Sequence, residues 1–82
     1  QWVDPYIKDR MLALLQERPE IQQVYNMLTL QMGEDVLVSI KAQMAPAGSE
    51  QKMVENINVC EAALRQEFPQ ILWLFFEPDL KE

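Results

Sequence analysis

The sequence predicts a two-layer α+β domain in which two helices cover one face of a three-stranded mixed sheet. Three observations support this. Two segments repeat apolar residues at helical spacing, two others alternate apolar and polar residues around a glycine turn, and one short apolar run follows near the end. The resulting order is α-β-β-α-β. With 82 residues and an apolar fraction of 49%, the chain has enough residues to form one hydrophobic core. We therefore expect a single domain over residues 1–82.

The first helix is predicted to begin at Asp4-Pro5, where an N-cap acceptor precedes a proline that suits the first helical turn. Its apolar stripe consists of Ile7, Met11, Leu14 and Leu15. Pro19 disfavours helical geometry at the residue before it, so the helix is expected to end at Arg18.

Two strands are predicted after Ile21, and the turn Gly33-Glu34-Asp35 joins them into an antiparallel hairpin. In the first strand we expect the even-numbered apolar residues to face the helices: Val24, Leu28, Leu30 and Met32. In the second strand the even-numbered residues are expected to do the same: Val36, Val38, Ile40, Ala42 and Met44.

The second helix is predicted to begin after the N-cap candidate Ser49 and to end before Pro69. Its apolar stripe consists of Met53, Ile57, Cys60, Leu64 and Phe68. The apolar run at 71–76 is too short for another helix and indicates a buried strand. A right-handed crossover through the second helix would place this strand parallel to the second one.

The sheet face away from the helices is predicted to be apolar too, with Tyr25, Met27, Leu37, Ile71, Trp73 and Phe75 on it. A monomer of this size rarely leaves so much contiguous apolar surface in water. We therefore predict a homodimer that uses this face or its edge, with Tyr25, Trp73 and Phe75 at the interface. The alternatives are that Trp73 folds over the edge of the sheet, or that scattered apolar residues are tolerated in water.

The composition argues against nucleic-acid binding and against catalysis. Thirteen acidic and seven basic residues give a net charge of -6, which repels a phosphate backbone. The chain has no His, and Cys60 lies on an apolar stripe without a base beside it, so we predict that the protein is not an enzyme. Glu77 and Asp79 offer two oxygen donors to a divalent metal, although solvated carboxylates are the simpler interpretation of this pair.

Taken in order, these segments resemble the cytosolic C-terminal domain of cation diffusion facilitator transporters. The likeness extends over residues 4–79 and rests on the hairpin at 26–40, the helix end at 61–69 and the segment 75–78. It implies a ferredoxin-like, metallochaperone-like domain that dimerises in the cytoplasm below a membrane-embedded divalent-cation/proton antiporter. The implied role is dimerisation and regulation of divalent-cation efflux, with no catalytic residues in this part of the protein.

On this resemblance the chain is a fragment of an integral membrane transporter, at the cytoplasmic side of the inner membrane and soluble when isolated. Its implied partners are a second copy and its own transmembrane domain. Where zinc-binding relatives carry His, this sequence has Tyr25, Lys41, Val54 and Glu77, and Asp79 keeps a carboxylate. The implied ligand of Glu77 and Asp79 is a weakly held zinc, manganese or iron ion.

A free-standing ferredoxin-like module that binds a small ligand is the alternative function. Such a module is expected to begin with a strand and a glycine-rich loop, whereas this chain is predicted to begin with a helix. The start at Gln1 rather than Met is what we expect of an excised domain or of a processed product.

Overall fold

A computed structural model describes residues 2–82 and places five elements in the predicted order. Helix α1 spans Pro5–Glu17 and helix α2 spans Glu50–Glu67; the strands are β1 (Ile21–Met32), β2 (Asp35–Met44) and β3 (Ile71–Pro78). The sheet order is β1-β2-β3, with β1 antiparallel and β3 parallel to β2. Over the residues described, neither helix has the length and apolar character needed to cross a bilayer. The predicted α+β sandwich with a mixed sheet is confirmed.

Both helices begin at the predicted caps. The Asp4 carboxylate accepts a hydrogen bond from the amide of Tyr6 at 2.8 Å, with Pro5 as the first helical residue. The Ser49 hydroxyl accepts one from the amide of Lys52 at 3.1 Å. Each cap satisfies an amide that the helix itself leaves unpaired, and such caps contribute about 1 kcal/mol.

The hairpin turn between β1 and β2 depends on Gly33. A two-residue loop joins the register partners Met32 and Asp35, and Gly33 has a φ of 65°. Glycine at the first loop position with positive φ is typical of a type II′ turn, whose twist matches that of the flanking strands. A side chain at this position would strain the backbone, because the left-handed region is costly for other residues.

The core lies between the sheet and the two helices. Met11 and Leu15 of α1 and Cys60 and Leu64 of α2 are fully inaccessible to solvent, so the centre of each predicted stripe is buried. The even-numbered residues of β2 complete the core, as predicted: Val36, Val38, Ile40, Ala42 and Met44.

The register of β1 contains two irregularities that are not predicted from the sequence. Ile21 and Gln23 pair with consecutive residues of β2, and so do Val24 and Asn26. At each point β1 therefore carries one residue more than its partner, as in a β-bulge. Side chains alternate between the two faces of a strand. After each extra residue, the odd-numbered and even-numbered side chains therefore change faces.

The second bulge reverses the predicted orientation of the rest of β1. Met27 and Thr29 are buried in the core. Three residues predicted to face the helices instead face solvent: Leu28, Leu30 and Met32. The prediction for the even-numbered residues of β1 is therefore wrong beyond Val24, which packs against the core as expected.

A third irregularity lies at the start of β3. Val36 pairs with Ile71 and the next residue of β2, Leu37, pairs with Trp73, so Leu72 is the extra residue. Ile71 is consequently buried, so its predicted position on the uncovered face is wrong. Beyond this bulge Trp73 points away from the core, as predicted.

Candidate interaction face and carboxylate pair

The surface of the sheet that the helices leave uncovered is called the open face below. Its residues form three rows across the strands: Leu30, Leu37 and Trp73; Leu28, Ser39 and Phe75; Asn26, Lys41 and Glu77. The order β1-β2-β3 sets this arrangement, because each β2 residue has one partner on either side.

The first two rows of the open face are uncharged and largely apolar. Trp73 is 52% exposed and Phe75 is 57% exposed, and Leu28 lies in the same exposed surface. Contiguous apolar surface of this kind is typical of protein contacts, and aromatic residues dominate the energetic centres of interfaces. Trp73 and Phe75 therefore lie in an exposed apolar surface, and their place in a dimer interface stays a prediction.

The N-terminal segment extends this apolar surface. Trp2 forms an isolated antiparallel bridge with Leu30 along the outer edge of β1, and its side chain is exposed. The next residue, Val3, is buried in the core and holds the segment in place. An indole group thus lies beside the first row at the β1 edge, in addition to the one at Trp73.

Tyr25 is half-buried, and its hydroxyl has partners within the chain. The phenolic oxygen is 2.6 Å from Oε1 of Gln43 and 3.0 Å from the carbonyl oxygen of Leu80, and its single proton is shared between these acceptors. The contact joins β1, β2 and the segment after β3. Tyr25 therefore lies beyond the third row, and the structure does not bring it into one row with Trp73 and Phe75.

Glu77 and Asp79 lie at the end of β3, next to a lysine. Glu77 is exposed and is the register partner of Lys41 on β2. The Nζ atom of Lys41 is 3.4 Å from Oδ2 of Asp79. The amide of Asp79 donates to the carbonyl oxygen of Ala42 at 2.8 Å, which continues the parallel pairing past Pro78 and brings Asp79 within reach of Lys41.

The other carboxylate oxygen of Asp79 is bound to the backbone. Oδ1 accepts hydrogen bonds from the amides of Leu80 at 2.7 Å and Lys81 at 3.4 Å. The Leu80 amide contributes most to lowering the pKa of Asp79 below its usual value, and the Lys81 amide and Lys41 add to it. Asp79 is therefore ionised at neutral pH, and both of its oxygens have partners.

The residues present do not fit a resident divalent metal. Zinc takes four ligands and calcium six to eight, whereas residues 2–82 bring together no group of three or more His, Cys, Asp or Glu side chains. The ammonium group of Lys41 already lies against Asp79. Metal binding by Glu77 and Asp79 stays a prediction, and these residues supply it with at most two protein ligands.

A polar cluster between α1 and α2 is not foreseen from the sequence. The guanidinium of Arg18 donates to both carboxylate oxygens of Glu20 at 3.0 Å, and the Cys60 sulfur lies 3.8 Å from Oε1 of Glu20. The hydrogen bonds from Arg18 lower the pKa of Glu20, while burial raises the pKa of the Cys60 thiol to about 11. The thiol is therefore protonated at neutral pH and is a poor nucleophile.

No protein-family model and no curated protein sequence matches this chain. Solved structures of the MamM CTD, the C-terminal domain of MamM, match it in shape. A nickel form has a TM-score of 0.82 at 15% identity and covers 96% of this chain and 100% of its own. A cadmium form has a TM-score of 0.81 at 15% identity, with coverages of 95% and 98%. A zinc form has a TM-score of 0.79 at 16% identity, with coverages of 94% and 85%. This chain therefore has the ferredoxin-like α-β-β-α-β fold of the MamM C-terminal domain.

Proposed function

We propose that this chain is the cytosolic C-terminal domain of a cation diffusion facilitator transporter. The supporting observation is the match in fold to the MamM CTD, a domain of that family, over 96% of this chain and 100% of the other. The segments at 26–40, 61–69 and 75–78 add a resemblance in sequence to the same family. On this proposal a membrane domain of the full-length protein carries out the transport of divalent cations.

The proposed task of the domain is to hold two copies together through the open face. The chain carries a net charge of -6, so two copies repel each other least where they meet through the uncharged rows that contain Trp73 and Phe75. Burying these rings removes apolar surface from water, at roughly 25 cal/mol per Å². The third row carries one charge of each sign, Lys41 and Glu77, and therefore adds no net charge to the surface at which the two copies would meet.

A dimer of this domain would also regulate transport. Two copies that are fixed to each other set the distance between the two membrane domains attached to them. A partner or ligand that prefers one spacing then shifts the transporter toward the corresponding state. The partners in this proposal are a second copy and the transporter's own transmembrane domain, at the cytoplasmic side of the inner membrane.

We assign the chain no catalytic role and no nucleic-acid partner. The matching MamM structures are transporter domains rather than enzymes. The thiol of Cys60, the one cysteine of the chain, is buried and protonated. The carboxylate beside it, Glu20, is paired with Arg18, which lowers its pKa and makes it a weak base toward the thiol. The net charge of -6 disfavours contact with a phosphate backbone.

Sedimentation equilibrium of the isolated domain over a wide concentration range tests the proposed association. We expect a concentration-dependent equilibrium between monomer and dimer, and a monomer at every concentration would contradict it. The parent reading frame tests the family assignment independently. We expect about six hydrophobic segments of roughly 20 residues each upstream of this domain. A reading frame without them would favour the free-standing ligand-binding module instead.

A further inference from the structure

Glu77 and Asp79 lie at one end of the open face, which is called its carboxylate end below. We infer that the ammonium group of Lys41 takes the place of a divalent metal at this end. The inference deepens the proposed function and rests on it. Lys41 forms an ion pair with Asp79 and is the register partner of Glu77, so a side chain of the same domain already supplies a cation at this end of the open face.

The position of Lys41 follows from the parallel pairing of β2 with β3. Lys41 and Glu77 are register partners, so their side chains lie on the same face of the sheet. Asp79 follows two residues later and is kept in line by the hydrogen bond from its amide to the carbonyl of Ala42. The Lys41 and Asp79 side chains are 33% and 32% exposed, so their ion pair is partly shielded from water.

A divalent metal at Asp79 would compete directly with this ammonium group. A zinc ion lies about 2 Å from a carboxylate oxygen, which would place it within a few ångström of Nζ of Lys41. Two positive charges at that separation repel each other, more strongly where water is partly excluded. Binding would therefore require Lys41 to move away, while Oδ1 of Asp79 stays bound to the amides of Leu80 and Lys81.

The chain offers a matched control for this pair. Lys52 lies 3.9 Å from Glu55 one helical turn away, and both side chains are well exposed. Removing the charge of Lys52 changes the net charge of the domain as much as removing that of Lys41. Of the two substitutions, only the one at Lys41 removes a cation from the neighbourhood of Glu77 and Asp79.

The test is a titration with manganese chloride, followed by paramagnetic broadening of amide NMR signals. The variants are Lys41→Met, which keeps the apolar stem and removes the charge, Lys41→Arg, which keeps the charge, and Lys52→Met. We expect Lys41→Met to bind manganese at least about tenfold more tightly than the wild type, as removal of one nearby like charge predicts. The broadening should centre on residues 77–81. Lys41→Arg and Lys52→Met should behave as the wild type.

Equal manganese affinity in the wild type and in Lys41→Met overturns the inference, whether that affinity is measurable or not. An equal gain in Lys52→Met also overturns it, because the effect would then be one of net charge. Lys41→Gln serves if the Met variant does not fold, which thermal denaturation shows. The oligomeric state is measured on the same samples. A monomeric domain that gains manganese affinity contradicts the proposed dimer alone, whereas a dimer without the gain contradicts this inference alone.

Discussion

Trp73 of β3 lies in register with Leu37 of β2, on the face of the sheet that no helix covers. Leu37 is paired on its other side with Leu30, so an apolar row runs across all three strands and ends in a half-exposed indole ring. A large aromatic side chain at the end of such a row is suited to fill a pocket on a partner. Trp73 is therefore the residue on which the proposed association depends most.

Replacement of Trp73 by Glu is expected to abolish association, because a carboxylate would have to be buried without a partner in the proposed interface. The expected loss is at least about 2 kcal/mol of dimerisation free energy. Sedimentation equilibrium measures it. The control is Val59→Glu, which introduces the same charge at an exposed position of α2 and should leave the dimer intact. Persistence of the dimer in Trp73→Glu would show that the interface lies elsewhere.

Replacement of Leu64 by Ala is expected to lower the free energy of unfolding by about 2–5 kcal/mol, since it removes a fully buried side chain and leaves a cavity. Urea denaturation followed by circular dichroism measures this change. Leu80→Ala is the control, because Leu80 is 84% exposed and its truncation should change stability by less than about 0.5 kcal/mol. Similar losses in both variants would be inconsistent with a core formed by α2.

Replacement of Glu20 by Gln is expected to cost about 1 kcal/mol at neutral pH, because Glu20 accepts two hydrogen bonds from Arg18 in a partly buried pair. The pKa of Glu20 in the folded state is lowered from its ordinary value of 4.5. The contribution of Glu20 to the free energy of unfolding is therefore fully present above pH 4.5, and it is lost as the pH falls through the lowered pKa. Urea denaturation at several pH values should show the wild type and the variant converging in acid. Glu55→Gln, at an exposed ion pair, should lie close to the wild type throughout.

The buried thiol of Cys60 is expected to make the domain sensitive to alkali. Burial raises its pKa from 9.0 to about 11, so the unfolded chain loses the thiol proton first. The stability that Cys60 contributes is therefore present below pH 9 and is lost as pH rises toward 11, by about 2–3 kcal/mol. Urea denaturation across this range should show a steeper decline for the wild type than for Cys60→Ala. Parallel declines would mean that Cys60 does not ionise on unfolding.

The boundaries of the helices were predictable because local chemistry determines them. Asp4 and Ser49 accept hydrogen bonds from amides two and three residues ahead, and Pro19 and Pro69 prevent the helices from continuing. The exposure of Trp73 and Phe75 was also predictable, because a two-layer fold with two helices leaves one face of the sheet uncovered.

Which side chains of β1 face the core could not be predicted from alternation alone. A β-bulge adds one residue without changing the composition of the strand, so a count of even and odd positions loses its meaning beyond it. The sequence does carry a signal at both bulges. Gln22-Gln23 is a polar pair and Val24-Tyr25 an apolar pair, and each interrupts the alternation at a register shift.

The contact between Lys41 and Asp79 could not be predicted either. The two residues belong to segments far apart in sequence, and their distance depends on the register between β2 and β3. That register in turn depends on the extra residue at Leu72. The carboxylates were identified as the polar candidates from the sequence, whereas the cation beside them required the structure.

Tyr25 is the extra residue of the second bulge in β1, so the strand can lose one residue there without losing a pairing partner. A deletion of Tyr25 would restore regular pairing and leave every following side chain on its present face. A deletion beyond Met27 would instead exchange the two faces of the strand beyond that point. Exposed leucines would then point into the core, and the buried Thr29 would point away from it. Among related sequences a one-residue deletion at this bulge, which loses only the hydroxyl contacts of Tyr25, should therefore be tolerated better than a deletion beyond Met27.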